Sequence, residues 1–284
     1  MNTVGSLVDR TLRDFLEPPD ELWVRTRLTA GVDGETSVWP IDLDLLSFEE
    51  RDLLSTGVLV EAGSEQAIIT SLDGAEVTVR RGSRGTKAAP HDSGTEVLVS
   101  PAFTRSTVFE AVAESIVGLH PPLFRSRAAE ETVGEGGMTL LSDDALGVTE
   151  VRRISDRCVL GFDDLGEWES GRAVGIHASA GTKVWVTFRA RFAYPASENQ
   201  TLAQLGVKDE WGRIVVIGAA AQLISAKPMS TSWQEFVSAQ LRTEAYPVET
   251  PGRIRDSLLN YHEYLLGKAS ASLLHQHPST VVYT

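Results

Sequence analysis

The feature that most narrows the fold is a cadence of short β-type runs between Gly57 and Pro101. Val58 to Ala62, Ala67 to Ser71 and Glu76 to Arg80 are each short and separated by turn chemistry, with Asp73-Gly74 as a hairpin signal. A fourth run, Glu96 to Val99, predicts another strand. Ahead of them, the Thr-, Val- and Trp-rich stretch from Trp23 to Pro40 predicts a strand pair, with Val32-Asp33-Gly34-Glu35 turning the chain between Leu28 and Val38. The polar excursion from Arg81 to His91 contains Gly82 and Gly85, which tolerate positive φ, and is expected to project from the sheet as a contact loop.

Helical spacing frames these strands. Val4, Leu7, Val8, Leu12 and Leu16 form one stripe that Pro18-Pro19 ends, and Val108, Val112, Ile116 and Leu119 form another, stopped by His120-Pro121-Pro122. Glu130 to Gly137, acidic and glycine-rich, reads as a linker. Beyond it, Thr139–Leu141, Val148–Ile154, Cys158–Phe162, Ala173–His177 and Lys183–Phe192 read as strands of a small antiparallel sandwich. Leu202–Ile224, Ser232–Ala245 and Arg253–His275 read as helices. The expected class is therefore α+β: a β-rich unit with flanking short helices in 1–130, a small β-sandwich in 131–200, and a helical region with a C-terminal tail in 201–284.

Charge bears on partners. Lys and Arg total 26 against 39 Asp and Glu, a net charge of −13, so a sequence-independent grip on nucleic-acid phosphates would work against the field of the whole chain. The single cysteine, Cys158, excludes an intramolecular disulfide and a multi-cysteine zinc site. The N-terminal residues lack a basic start followed by an apolar stretch, and the most apolar window, Ile214 to Ala221, is far shorter than the roughly 20 residues of a membrane span. No membrane partner is expected.

A catalytic reading needs a constellation, and the sequence contains no G-x-S-x-G elbow, Walker A loop, H-E-x-x-H or Rossmann glycine fingerprint. Gly82-x-x-Gly85-Thr86-Lys87 has the wrong spacing for a phosphate cradle. His262, His275 and His277 read as polar positions on the last helix. Asp42 with Asp44, and Asp163-Asp164 with Glu167 and Glu169, read as solvated acidic faces without calcium-loop spacing. The expectation is a chain with no catalytic residues, no cofactor and no metal. The positions expected to make contacts are the basic loop residues Arg80, Arg81, Arg84 and Lys87, because arginine is favoured at interfaces. To these are added Ile254, Leu258, Tyr261 and Leu265 on the apolar face of the last helix, and Val281, Val282 and Tyr283 in a β-prone tail suited to strand addition.

Residues Glu61 to Phe124 carry a resemblance. Val79-Arg80-Arg81-Gly82, Gly85-Thr86, Ala88, His91 and Gly94 are similar to a V-x-R-G-x-x-G-T-x-A-x-x-H-x-x-G stretch of structural proteins of tailed bacteriophages. Ile116-Val117-Gly118-Leu119-His120-Pro121-Pro122-Leu123 resembles an I-x-x-L-Y-P-x-L helix end of neck proteins, with His120 in place of the usual tyrosine. The resemblance implies a head-to-tail connector (neck) protein of adaptor or stopper type, a virion component assembled in the bacterial host cytoplasm. Its implied partners are copies of itself in a ring, the portal protein, and adjacent neck or tail proteins. DNA would pass through the lumen without specific binding, helped by like charge. Two other readings belong to the same sequence: a minor tail or baseplate protein, and a receptor- or carbohydrate-binding module with Trp168 and Trp185 as its platform. A hydrolase using Asp163 and Glu167 is a third.

Overall fold

Alternating burial builds the first sheet. In the computed structural model, which describes residues 2–16, 24–168, 171–224, 231–243 and 254–276, the strands β1 (Val24–Arg27), β2 (Val38–Pro40), β3 (Leu59–Ala62), β4 (Glu65–Asp73), β5 (Glu76–Arg80) and β6 (Glu96–Val99) join in the order β1-β6-β3-β4-β5-β2, with every pairing antiparallel. The two outer strands then meet. Leu28 bridges Ile41, the Thr29 N–H donates to the Pro40 carbonyl at 2.9 Å, and the Asp42 N–H donates to the Arg27 carbonyl at 2.8 Å. These bonds close the sheet into a small barrel and remove its open edges. Val24, Leu28, Trp39, Ile41, Val60, Ala67, Ile69, Val77, Val79, Val97 and Val99 fill the interior. The expected strand pair before Pro40 exists only at this seam, because the ladders of β1 and β2 run to β6 and β5.

The chain divides into two compact units. The barrel unit comprises the described residues of Val8–Ala111 and Gln222–Ile254. It includes part of helix α1 (Val4–Thr11), a π-type turn over Leu12–Leu16, the short helix α2 (Phe48–Arg51), the first turns of α3 (Arg105–Val117), and, further along the chain, a 13-residue helix over Thr231–Thr243. Within this unit the Trp233 indole N–H donates to the Phe15 carbonyl at 2.7 Å, and Phe103 meets the Trp233 ring edge-on. At the start of α3, both oxygens of buried Glu61 accept from the Arg105 N–H at 2.9 and 3.0 Å, so a carboxylate sits where the helix dipole favours it.

The second unit is built from the described residues of Met1–Leu7, Val112–Ala221 and Arg255–Thr284. Its strands are β7 (Arg125–Thr132), β8 (Met138–Leu141), β9 (Ala145–Arg153), β10 (Phe162–Trp168), β11 (Gly171–Ile176) and β12 (Lys183–Ala190). They form two three-stranded antiparallel sheets, β10-β11-β8 and β7-β12-β9, sharing one apolar core of Leu141, Val151, Val174, Ile176, Val184, Val186 and Phe188 among others. The alternation of Val184, Val186 and Phe188 with Trp185, Thr187 and Arg189 gives β12 one buried face and one outer face. Glu130 to Gly137 is not a linker. Glu130, Glu131 and Thr132 end β7 in register with Trp185, Val184 and Lys183. Glu130 faces water and Glu131 is half-buried opposite Val184 while the backbone pairs, which a reading of composition alone misses. The strand expected at Cys158–Phe162 begins only at Phe162, with Val159 held by one isolated bridge to Arg152.

Helices α4 (Gly212–Ile224), α5 (Thr231–Thr243) and α6 (Ile254–Gln276) follow. Within the second unit, α4 is apolar on all sides over Ile214–Ala221 and nearly every one of these positions is buried. Gly218 allows close helix packing: a Cβ there would stand 2.5 Å from Ser115 Oγ and 2.9 Å from His262 Nε2. The α+β class and its β-rich, sandwich and helical parts are those the sequence implied.

Candidate functional site

The basic loop is organised around one carboxylate. Gly63 (φ +59) and Ser64 turn β3 into β4 and leave Glu65 at the first position of β4, in phase with the inward residues Ala67 and Ile69. Arg81 stands at the matching phase after Val77 and Val79 of β5. Arg81 Nε donates to Glu65 Oε1 at 2.9 Å and Nη2 donates to Oε2 at 2.6 Å, a two-pronged ion pair. The Ala89 N–H donates to Oε2 at 3.0 Å, the Gly82 N–H to Oε1 at 3.3 Å, and His91 Nε2–H to Oε2 at 2.8 Å. The remaining guanidinium protons go to the carbonyls of Asp33, Thr36 and Ala89.

The Glu65 side chain is 0% exposed and that of Arg81 only 7%. Burial by itself pushes the Glu65 carboxyl upward. The Arg81 hydrogen bonds, the Ala89 N–H and His91 outweigh burial and hold it at about 2. Trp39 packs under the cluster, with Arg81 5.6 Å from its ring centroid and His91 edge-on at the same distance.

This geometry assigns internal tasks to the motif residues. Gly82 has φ +58, and a Cβ on it would approach the Thr86 carbonyl to 3.1 Å. Thr86 Oγ1 accepts from the Gln66 N–H at 3.0 Å and donates to the Ser83 carbonyl at 2.8 Å. The loop expected to project is instead tied down on the barrel, and Arg81 is a strut inside it. Arg80, Arg84 and Lys87 remain exposed on its outside.

On the last helix, Ile254, Leu258 and Tyr261 are buried by the chain itself and Leu265 is half-buried. Their apolar face therefore has its cover without a neighbouring subunit. Leu259 and Tyr264 are exposed large apolar residues on the same helix. Val281, Val282, Tyr283 and His277 lie outside the described residues.

The acidic cluster of the sandwich separates into individual pairs. Asp163 meets His177 at 2.8 Å, Asp164 accepts from Arg172 at 2.7 and 3.0 Å, and Glu167 stands 3.8 Å from Arg191. Trp211 and Trp233 are core residues. Trp168 and Trp185 are exposed, on β10 and β12 of different sheets.

One outward feature was missed from sequence. Ser47 Oγ accepts from the Glu50 N–H at 3.2 Å, and the Ser47 N–H donates to Glu50 Oε2 at 2.7 Å, a complete capping box. Arg51 donates to the Leu43 and Leu46 carbonyls and braces the turn from below. This stapled turn carries Phe48 with 81% of its surface in solvent, flanked in sequence by exposed Leu45 and Leu53. The Ser47-x-x-Glu50 signature was the available clue, and the aromatic at the next position is what it displays. No protein-family model matches the chain, and no curated protein matches it.

Proposed function

We propose that this chain is a non-enzymatic structural subunit of the tailed-bacteriophage neck, forming a ring that links portal to tail and lines the DNA conduit. The observation that carries the reading is the Phe48 turn. A large apolar side chain held in water by a capping box and an arginine brace stabilises nothing within its own unit, whereas at a subunit contact its burial contributes about 1.5–3 kcal/mol. Repeated around a closed ring, contacts of that size add up. The exposed cations Arg80, Arg84 and Lys87 suit an acidic neighbour, and copies of a chain with net charge −13 supply one. The resemblance of Val79 to Gly94 to phage structural proteins supports the same reading.

The test is assembly of the purified chain with portal rings, followed by negative-stain imaging. The wild-type chain should decorate portals, and Phe48→Glu should fail to do so while melting at an unchanged temperature. Equal decoration by both would remove Phe48 from the contact, and no decoration by the wild-type chain would remove the neck reading. The exposure of Trp168 and Trp185 favours a second reading, a carbohydrate-binding module. Binding of a glycan that Trp185→Ala abolishes would support it.

A further inference from the structure

Two unlike patches of the barrel unit are open to solvent. Five of the twelve residues from Asp42 to Leu53 are acids, and they flank the exposed Phe48 on both sides in sequence. The one cation of that segment, Arg51, is occupied by the Leu43 and Leu46 carbonyls and comes no nearer than 3.8 Å to Asp44. Glu49 and Asp52 are exposed and have no ion pair among the described residues. The loop after β5 is the reverse, for Arg80 to Pro90 contains no acid. Arg81 is taken up inside by Glu65, whereas Arg80, Arg84 and Lys87 are exposed and have no ion pair among the described residues. Arg84 is held in left-handed backbone at φ +53, a conformation that is strained for a residue with a side chain. Ala88 and Pro90, also exposed, follow Lys87 as a small apolar ledge.

The two patches belong to opposite ends of one strand. Pro40 pairs with Glu76, the first residue of β5, and the Ile41 N–H donates to the Ala75 carbonyl at 2.9 Å, so the chain enters the Phe48 turn from that end. The basic loop leaves from Arg80 at the other end, four strand steps or roughly 13 Å away. We propose that the Phe48 turn of one copy docks on the Arg80 to Pro90 loop of the next. This rests on the reading of Phe48 as a subunit contact and names the surface that Phe48 meets. Guanidinium groups suit both parts of the turn, its carboxylates by charge and the face of its phenyl ring by cation–π attraction. The acids of the sandwich are poorer partners, because Asp163, Asp164 and Glu167 already face His177, Arg172 and Arg191. A two-fold contact of turn on turn would instead set acids against acids. With two different surfaces meeting, the contact is heterologous, and it closes a ring when the rotation from copy to copy divides the circle.

Sedimentation of the full chain at rising concentration tests the contact with two charge-reversed variants. The turn variant carries Glu49→Lys with Asp52→Lys, and the loop variant carries Arg84→Glu with Lys87→Glu, all at exposed positions. The wild-type chain should self-associate. Each variant alone should associate at least about tenfold more weakly at an unchanged melting temperature, because like charges then face each other. An equimolar mixture of the two should recover association, since each supplies the surface that the other has lost. A wild-type chain that stays monomeric, a variant that associates as well as wild type, or a mixture no better than its components would overturn the proposal. Portal decoration is scored separately. Charge-dependent self-association without decoration keeps this contact and removes the neck reading, whereas decoration by a chain whose self-association ignores both reversals keeps the neck reading and removes this contact.

Discussion

The two β units of this chain solve the same problem in opposite ways. In the barrel, the long excursion between β5 and β6 is held by a buried ionic cluster in which Glu65 gathers Arg81, His91 and two backbone N–H groups. In the sandwich, the interior is apolar, and the charged residues Asp163, Asp164 and Glu167 meet their cations on the surface. Burying a charge pair costs desolvation that the pair must recover through geometry, so the barrel trades tolerance for a loop of fixed shape. Surface pairs add little and forgive substitution. The two units should therefore fail under different insults.

The largest expected effect is at the cluster. Glu65→Gln leaves the Arg81 charge buried without its counter-ion and should cost the barrel about 3–5 kcal/mol. Hydrogen exchange at the Gly82 and Ala89 amides would accelerate while sandwich amides stay protected. Adding Arg81→Met to Glu65→Gln should recover part of the loss. A double variant no better than the single one would show that the cluster does not act as a pair.

Acid should separate the units in order. Glu65 is held at about 2 against an ordinary 4.5, so the unfolded barrel binds more protons than the folded one between these values. Its contribution of about 3 kcal/mol is complete above pH 4.5 and is lost as pH falls toward 2. In the sandwich unit, burial lowers the His262 pKa below its ordinary 6.5 despite the opposing charge of Glu263. Here too the unfolded state binds the extra proton, so stability begins to fall as pH drops through 6.5. A pH series of hydrogen exchange should show the sandwich unit loosening first, and His262→Gln should remove part of that mild-acid loss, the rest coming from His120, whose pKa burial and the Arg191 charge also lower. Loosening of the barrel first would break the comparison.

Much of this division was written in the sequence as phase. Glu65, Ala67 and Ile69 share a parity, as do Val77, Val79 and Arg81, so an acid and a base both occupy inward positions where a charge needs a partner. Reading Arg80, Arg81, Arg84 and Lys87 by composition as one exposed patch hid that Arg81 alone is in the inward phase. The sandwich was legible because Val184, Val186 and Phe188 alternate cleanly. Its first strand, β7, was not, since Arg125 to Thr132 has almost no apolar residues and is placed by backbone pairing to β12. The Val32–Glu35 turn foretold that Leu28 and Ile41 meet; that their meeting closes a six-stranded barrel was not legible, because the ladders of β1 and β2 run to β6 and β5. The Phe48 turn carried a signature in Ser47-x-x-Glu50 that strand and helix spacing passed over, because a four-residue helix has too few positions to show a stripe.

Smaller effects sharpen the comparison. Gly171 has φ +134, and a Cβ there would lie 1.9 Å from the Leu141 carbonyl oxygen. Gly171→Ala should therefore cost the sandwich about 1–3 kcal/mol or more by forcing β11 from β8, while leaving the barrel's exchange pattern unchanged. Arg172→Gln, which removes a partner of Asp164 on the sandwich surface, should cost less than about 1 kcal/mol, and the difference should shrink in 1 M salt. A loss comparable to that of Glu65→Gln would mean that the sandwich also depends on its charges.

In the proposed neck subunit the outward features of the chain, the Phe48 turn foremost, serve assembly. Light scattering of the purified full chain, alone and mixed with portal rings, tests it most directly. The account predicts portal-bound particles whose added mass is a whole multiple of the 30.8 kDa subunit. A chain that stays at 30.8 kDa at all concentrations and leaves the portal peak unshifted would contradict it.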